Sequence, residues 1–163
     1  MPPYRLQALL EIRERAKEEA ENAFSDAVKA AEKQKAELKR MEQELEKRKA
    51  ERKQKVQEYL KQIMAKGNAG PNSFTLMNRY EERLKDEEAQ LALEIEQQKE
   101  AVKVAERLVE QRRREMAEAA KELKAIEKNK ETFLKQVRAE RQAKEELNQE
   151  EIGNTLFLMR QRK

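Results

Sequence analysis

The side chains able to do acid–base or ligand chemistry are almost all carboxylates and amines: 33 Asp and Glu against 37 Lys and Arg among 163 residues. There is no His and no Cys. The commonest general base and metal ligand is therefore missing, and thiolate sites and disulfides are excluded. The adjacent acids Glu87 and Glu88 could in principle share a divalent cation, but neighbouring positions on a helix point apart. The glycines from Gly67 to Gly70 lack the Lys-Ser/Thr ending of a phosphate cradle. The expectation is a protein without catalytic, cofactor or metal sites. Net charge is +4 with both signs mixed along the chain. Nucleic-acid binders gather basic groups on one face, so nucleic acid is not expected as a partner.

Contact surfaces are the remaining chemistry. Tyr59, Leu60, Ile63 and Met64 are followed closely by Phe74, Leu76, Met77, Tyr80 and Leu84. Aromatic and Met side chains make adaptable contacts; locking a turn and binding a partner both fit this cluster. Leu6, Leu9, Leu10 and Ile12 near the start are broader than one packing stripe needs. Ile152, Leu156, Phe157, Leu158 and Met159 form an apolar group near the end, followed by Arg160, Arg162 and Lys163. Partner binding is the favoured reading of that group.

These groups must be positioned by very long helices. The three Pro and three Gly lie at just three places: Pro2-Pro3, Gly67 to Pro71, and Gly153. Charged residues are 43% and aromatics 4% of the chain, a composition of coiled coils and long helices. Helix breakers are the strongest punctuation in a sequence, so Gly67 to Asn72 reads as one interruption. Gly67 can close the first helix in a left-handed conformation, and Asn72 or Ser73 can cap the second.

The helical period can be followed through both halves. Leu84, Glu88, Leu91, Ile95, Gln98, Val102, Ala105, Val109, Arg112, Met116, Ala119, Leu123, Ile126, Lys130, Phe133 and Val137 are spaced by alternating steps of four and three, a sustained heptad seam. Leu6, Leu9, Arg13, Ala16, Ala20, Phe24, Ala27, Ala31, Gln34, Leu38, Met41, Leu45, Arg48, Arg52, Val56, Tyr59 and Ile63 supply its partner. Between them, Glu44–Arg48, Glu81–Lys85, Glu131–Lys135 and Glu140–Lys144 fit helical ion pairs, worth about 0.3 kcal/mol each. Charge selects the way the seams meet. Folding back at the loop brings basic Lys47 to Lys55 against Asp86, Glu87 and Glu88, with Arg52 opposite Glu88. A parallel dimer would set Arg48 and Arg52 against their own copies, which is costly.

The fold expected is all-α: a long two-helix antiparallel coiled-coil hairpin with an extended C-terminal helix. The first helix covers about 4–66, the loop 67–72, the second helix about 73–152 and a tail 153–163, all within one domain. At about 1.5 Å per residue the first helix spans roughly 95 Å. No apolar run approaches the ~20 residues that cross a bilayer, and the opening lacks a signal-peptide layout. A cytoplasmic chain, without direct membrane insertion and monomeric in isolation, is expected. A generic coiled-coil scaffold and a peripheral-stalk subunit of a rotary ATPase share these features.

The opening Tyr4-Arg5-Leu6-Gln7-Ala8-Leu9-Leu10-Glu11-Ile12-Arg13, the polar turn followed by Phe74, Tyr80 and Leu84, and the ending from Gln149 through Leu156 to Lys163 together resemble the type III secretion stalk family, the YscO/FliJ-type proteins. The resemblance covers the whole chain. It implies a shaft like that of rotary ATPases, engaging the hexameric secretion ATPase and linking it to the membrane export gate. It also implies export chaperones as partners, a place at the base of the secretion apparatus, and export of the protein itself in some injectisome members. On this resemblance the tip residues Tyr59, Phe74, Met77, Tyr80 and Leu84 face the gate; Tyr80 and Leu84 match gate-binding positions of flagellar members. Glu87 and Leu91 match two more, although Glu87 stands where the family carries a small apolar residue. Leu6, Leu10, Arg138, Arg141, Ile152, Leu156, Met159 and Arg160 fall at the ATPase end.

Overall fold

A computed structural model describes residues 2–67 and 70–162. Asn68, Ala69 and Lys163, named above in the loop and the basic tail, lie outside the described residues. Two helices account for nearly all of the chain: α1, Gln7–Ala65, with 59 residues, and α2, Pro71–Gln161, with 91. The described residues contain no strand. The molecule divides into two compact units, Ala23–Arg112 and a second formed by Met1–Asn22 with Arg113–Lys163.

Within Ala23–Arg112 the two helices run antiparallel on either side of the turn. Ala27, Ala31 and Ile63 of α1 are buried, as are Leu91, Ile95 and Val102 of α2. Small Ala side chains let the helices approach closely while Leu and Ile fill the space between them. Arg52 donates from Nε to both oxygens of Glu88, at 3.0 and 2.9 Å, and its Nη1 lies 3.5 Å from Glu81. Gln98 Nε2 donates to Gln34 Oε1 at 2.7 Å and to the Gln34 carbonyl at 3.0 Å. Lys35 meets Glu106 at 3.2 Å. The opposition of basic and acidic stretches read from the sequence is thus present. Arg48 differs: it is exposed and pairs with Glu44 at 3.3 Å instead of entering the seam.

In the other unit the start of α1 packs against α2, with Leu10 and Leu123 buried and Arg13 bonded to Glu122. Residues 2–6 precede α1, which begins at Gln7 and not near residue 4. The Gln7 amide donates to the Tyr4 carbonyl at 3.2 Å, and Leu10 to Leu6 at 2.8 Å. The Tyr4 ring sits 5.2 Å from that of Phe133 and its hydroxyl bonds to Asn129.

The turn corrects one expectation and supports another. Gly67 has φ +68°, the left-handed closing residue predicted for it. The next helix, however, starts at Pro71, and the Ser73 amide donates to the Gly70 carbonyl at 3.1 Å. Asn72 and Ser73 are therefore inside α2 and not its cap. Proline suits the first helical position because it has no amide to leave unpaired. At the other end α2 runs through Gly153 to Gln161, where the sequence suggested an end at residue 152. A lone Gly costs a helix only about 1 kcal/mol, and the good helix formers after it carry the turn onward. Thr155 Oγ1 also donates to the Glu151 carbonyl at 2.8 Å.

Candidate partner-binding surfaces

Near the turn, Tyr59 from α1 and Tyr80 from α2 come together. They line one shallow depression of about 300 Å³ with Lys55, Glu58 and Gln62. The Arg83 guanidinium lies 5.3 Å from the centre of the Tyr80 ring, within cation–π range. Tyr59 is exposed, whereas Phe74, Met77, Tyr80 and Leu84 are half-buried. Met64 and Leu76 are the most solvent-facing apolar residues of this cluster. Leu84 also borders a depression of about 260 Å³ lined by Arg52, Lys55, Glu87 and Glu88. Of the matched gate positions, Glu87 is exposed, but Leu91 is buried in the seam. Leu91 therefore offers no surface of its own.

At the far end of α2, every described residue from Arg138 to Arg162 is exposed. The heptad seam stops at Val137 because α1 offers nothing further to pair with. Ile152, Leu156, Phe157, Leu158 and Met159 are each 54–63% exposed. Ile152, Leu156 and Met159, spaced by four and three residues, share one face. Phe157 and Leu158 take other faces, so the apolar surface wraps most of the helix. Arg160 is the basic residue of the last turn, complementing the negative end of the helix. Arg138 and Arg141 are exposed, and Arg141 lines a depression with Pro2, Val137, Lys144 and Asn148.

The two leucines assigned to this end behave differently. Leu6 is exposed, but Leu10 is only 4% exposed and belongs to the packed interior. Leu10 is therefore not a partner contact, because a side chain already enclosed has no surface to offer. Two surfaces escaped the sequence reading. Pro2, Pro3, Tyr4 and Leu6 fold over Asn129, Thr132, Phe133 and Gln136 around a hollow of about 520 Å³. On the solvent side of α2, Leu93 and Val104 are 61% and 59% exposed. Their spacing of eleven residues, about three helical turns, was the available signal.

The helices carry ion pairs along their surfaces, including Glu81–Lys85 at 3.3 Å and Glu131–Lys135 at 3.5 Å. Glu140 and Lys144 form none among the described residues. No cluster of three metal-ligating side chains occurs among the described residues. No described helix is long and apolar enough to cross a membrane.

Comparison with known proteins gives these features a context. The model of the YscO-like protein family matches residues 1–163. Among solved structures, a YscO homolog from Chlamydia trachomatis is similar in fold, with a TM-score of 0.81 and 24% sequence identity. That match covers 100% of this chain and 99% of the other. No curated protein matches the sequence. One family model thus spans both long helices and the apolar-ended extension of α2, and the solved relative shares their fold over nearly its whole length: the chain belongs to the YscO-like family of type III secretion stalk proteins.

Proposed function

We propose that the chain is a non-enzymatic central stalk of a type III secretion system, linking the hexameric export ATPase to the membrane export gate from the cytoplasmic side. The observation that carries this reading is the bare end of α2: five large apolar side chains stand in solvent in a chain that belongs to the YscO-like family. Exposed apolar surface of this kind marks an interaction site. Paired helices transmit position between sites, which a flexible linker does not.

On this reading Ile152, Leu156, Met159 and Arg160, with Leu6, Arg138 and Arg141, engage the ATPase. Tyr59, Phe74, Met77, Tyr80 and Leu84 at the turn engage the gate. The wrapped apolar end suits a partner that encloses the helix, since a helix apolar on most of its faces is buried in its working state. The basic groups suit acidic loops around that partner. Export chaperones are further partners on this reading, held by the same stalk.

The test is a binding assay with the purified hexameric ATPase. Changing Ile152, Leu156 and Met159 together to Glu abolishes capture, while helicity by circular dichroism stays as in the parent. Arg138→Glu, Arg141→Glu and Arg160→Glu together weaken capture and steepen its loss with salt. Full capture by both variants overturns the assignment of this end. A catalytic subunit of a rotary membrane ATPase serves as the control, and preferential binding to it overturns the secretion reading.

A further inference from the structure

The solvent side of α2 between Leu93 and Leu108 carries a second apolar stripe that nothing in the hairpin covers. Leu93 and Val104 are three turns apart and about 20° out of line, and Leu108 lies one turn further on. All three are exposed. The seam residues Leu91, Ile95 and Val102 are buried on the opposite side of the same helix. The stripe is therefore a separate face and not the edge of the first.

Its charged borders are polarised. Glu94, Glu96 and Glu100 flank the Leu93 half, and Lys103 and Arg107 flank the half containing Val104 and Leu108; within one copy Glu96 pairs with Lys99 at 3.1 Å and Glu100 with Lys103 at 3.3 Å, surface pairs weak enough to exchange partners. All five are exposed. A two-fold axis near Ala101 would bring each half against the oppositely charged half of another copy. Arg107 then meets the partner's Glu96, Lys103 exchanges its own Glu100 for the partner's, and Leu93 lies beside the partner's Leu108. A parallel copy would instead set like charges together. The pattern is self-complementary in one orientation only, as an isologous interface requires.

We infer that this face is an antiparallel self-association surface, at which two copies of the chain pair through Leu93, Val104 and Leu108. The inference does not depend on the stalk reading. Three large apolar side chains a copy fall short of a standard permanent interface, so pairing appears only as concentration rises, and the dilute chain is a monomer.

Sedimentation equilibrium of the full chain tests it. The mass climbs from monomer toward dimer with concentration, and climbs less in high salt. Arg107→Glu places acid against acid and weakens pairing about tenfold or more. Glu96→Arg combined with Arg107→Glu reverses both ends and restores it. Because the chain has no Cys, Ala101→Cys also reports geometry: mild oxidation cross-links it to its own copy, whereas Leu93→Cys cross-links poorly to itself. A monomer mass at every concentration, which would leave the stripe to a helix of another protein, overturns the inference. So does Leu93→Cys self-linking as readily as Ala101→Cys, or a double charge variant that pairs no better than Arg107→Glu.

Discussion

Glu88 is 7% exposed, the one charged residue buried among the described residues, and its two oxygens are held by Arg52. A charge in a coiled-coil seam is retained at a cost in stability and fixes which partner and register are allowed. Removing one member strands the other: Arg52→Ala should destabilise by about 3–5 kcal/mol, read as a drop in the urea midpoint. Arg52→Met with Glu88→Leu should be neutral or stabilising, since a packed apolar pair needs no desolvation. The double variant should also lose the bias against parallel pairing and show dimers by light scattering at concentrations where the parent is a monomer. If Arg52→Ala leaves the midpoint unchanged, the ion pair is surface decoration and the orientation argument fails with it. The Gln34–Gln98 bond adds a weaker restraint of the same kind farther from the turn.

At the scale of the helix, two glycines make opposite predictions from the same surroundings. Neither Gly67 nor Gly153 has an atom within 4 Å of where a Cβ would stand, so space decides nothing. Conformation does. Gly67 has φ +68°, and Gly67→Ala should cost about 1 kcal/mol in thermal or urea unfolding, because an L-residue is strained there. Gly153 is helical, and Gly153→Ala should add helix at the C-terminal end by about 1 kcal/mol of local propensity, measured as slower amide exchange from Glu150 to Met159. These glycines also show how far the sequence could be read. The heptad spacing named the buried seam residues almost individually, because a period is a property of the string itself. Arg52 opposite Glu88 followed from the place of the loop, which sets the register, and from charge, which favours the folded-back pairing. The end of α2 did not, since a single Gly is a weak break and only neighbours decide whether a helix crosses it. Leu10 was misassigned for a related reason: composition shows that a leucine is extra, but not which face closes over it. The stripe at Leu93 was missed because the buried seam dominated the pattern around it.

For the whole molecule, stability and recognition are carried by different lengths of chain. The buried side chains lie where α1 and α2 are paired, from Leu10 to Ile63 and from Glu88 to Leu123. The described residues from Arg138 to Arg162 are exposed throughout, so their helix is supported by propensity and its own backbone hydrogen bonds and sits near the limit of stability for an isolated helix. A chain ending after Glu140 should therefore lose almost no core and keep its thermal midpoint within about 2 °C of the parent. It should lose capture of the secretion ATPase completely, while a gate contact through Tyr59 and Tyr80 survives. Hydrogen exchange should follow the same division, with the extension exchanging first and the paired seams last. A midpoint that falls well below the parent would mean that the extension packs on the paired helices, in which case its apolar end is core and not a docking surface. Adding the ATPase to the intact chain should then slow exchange at Ile152 to Met159 selectively, because a partner that encloses this end replaces the core that the chain does not build for itself.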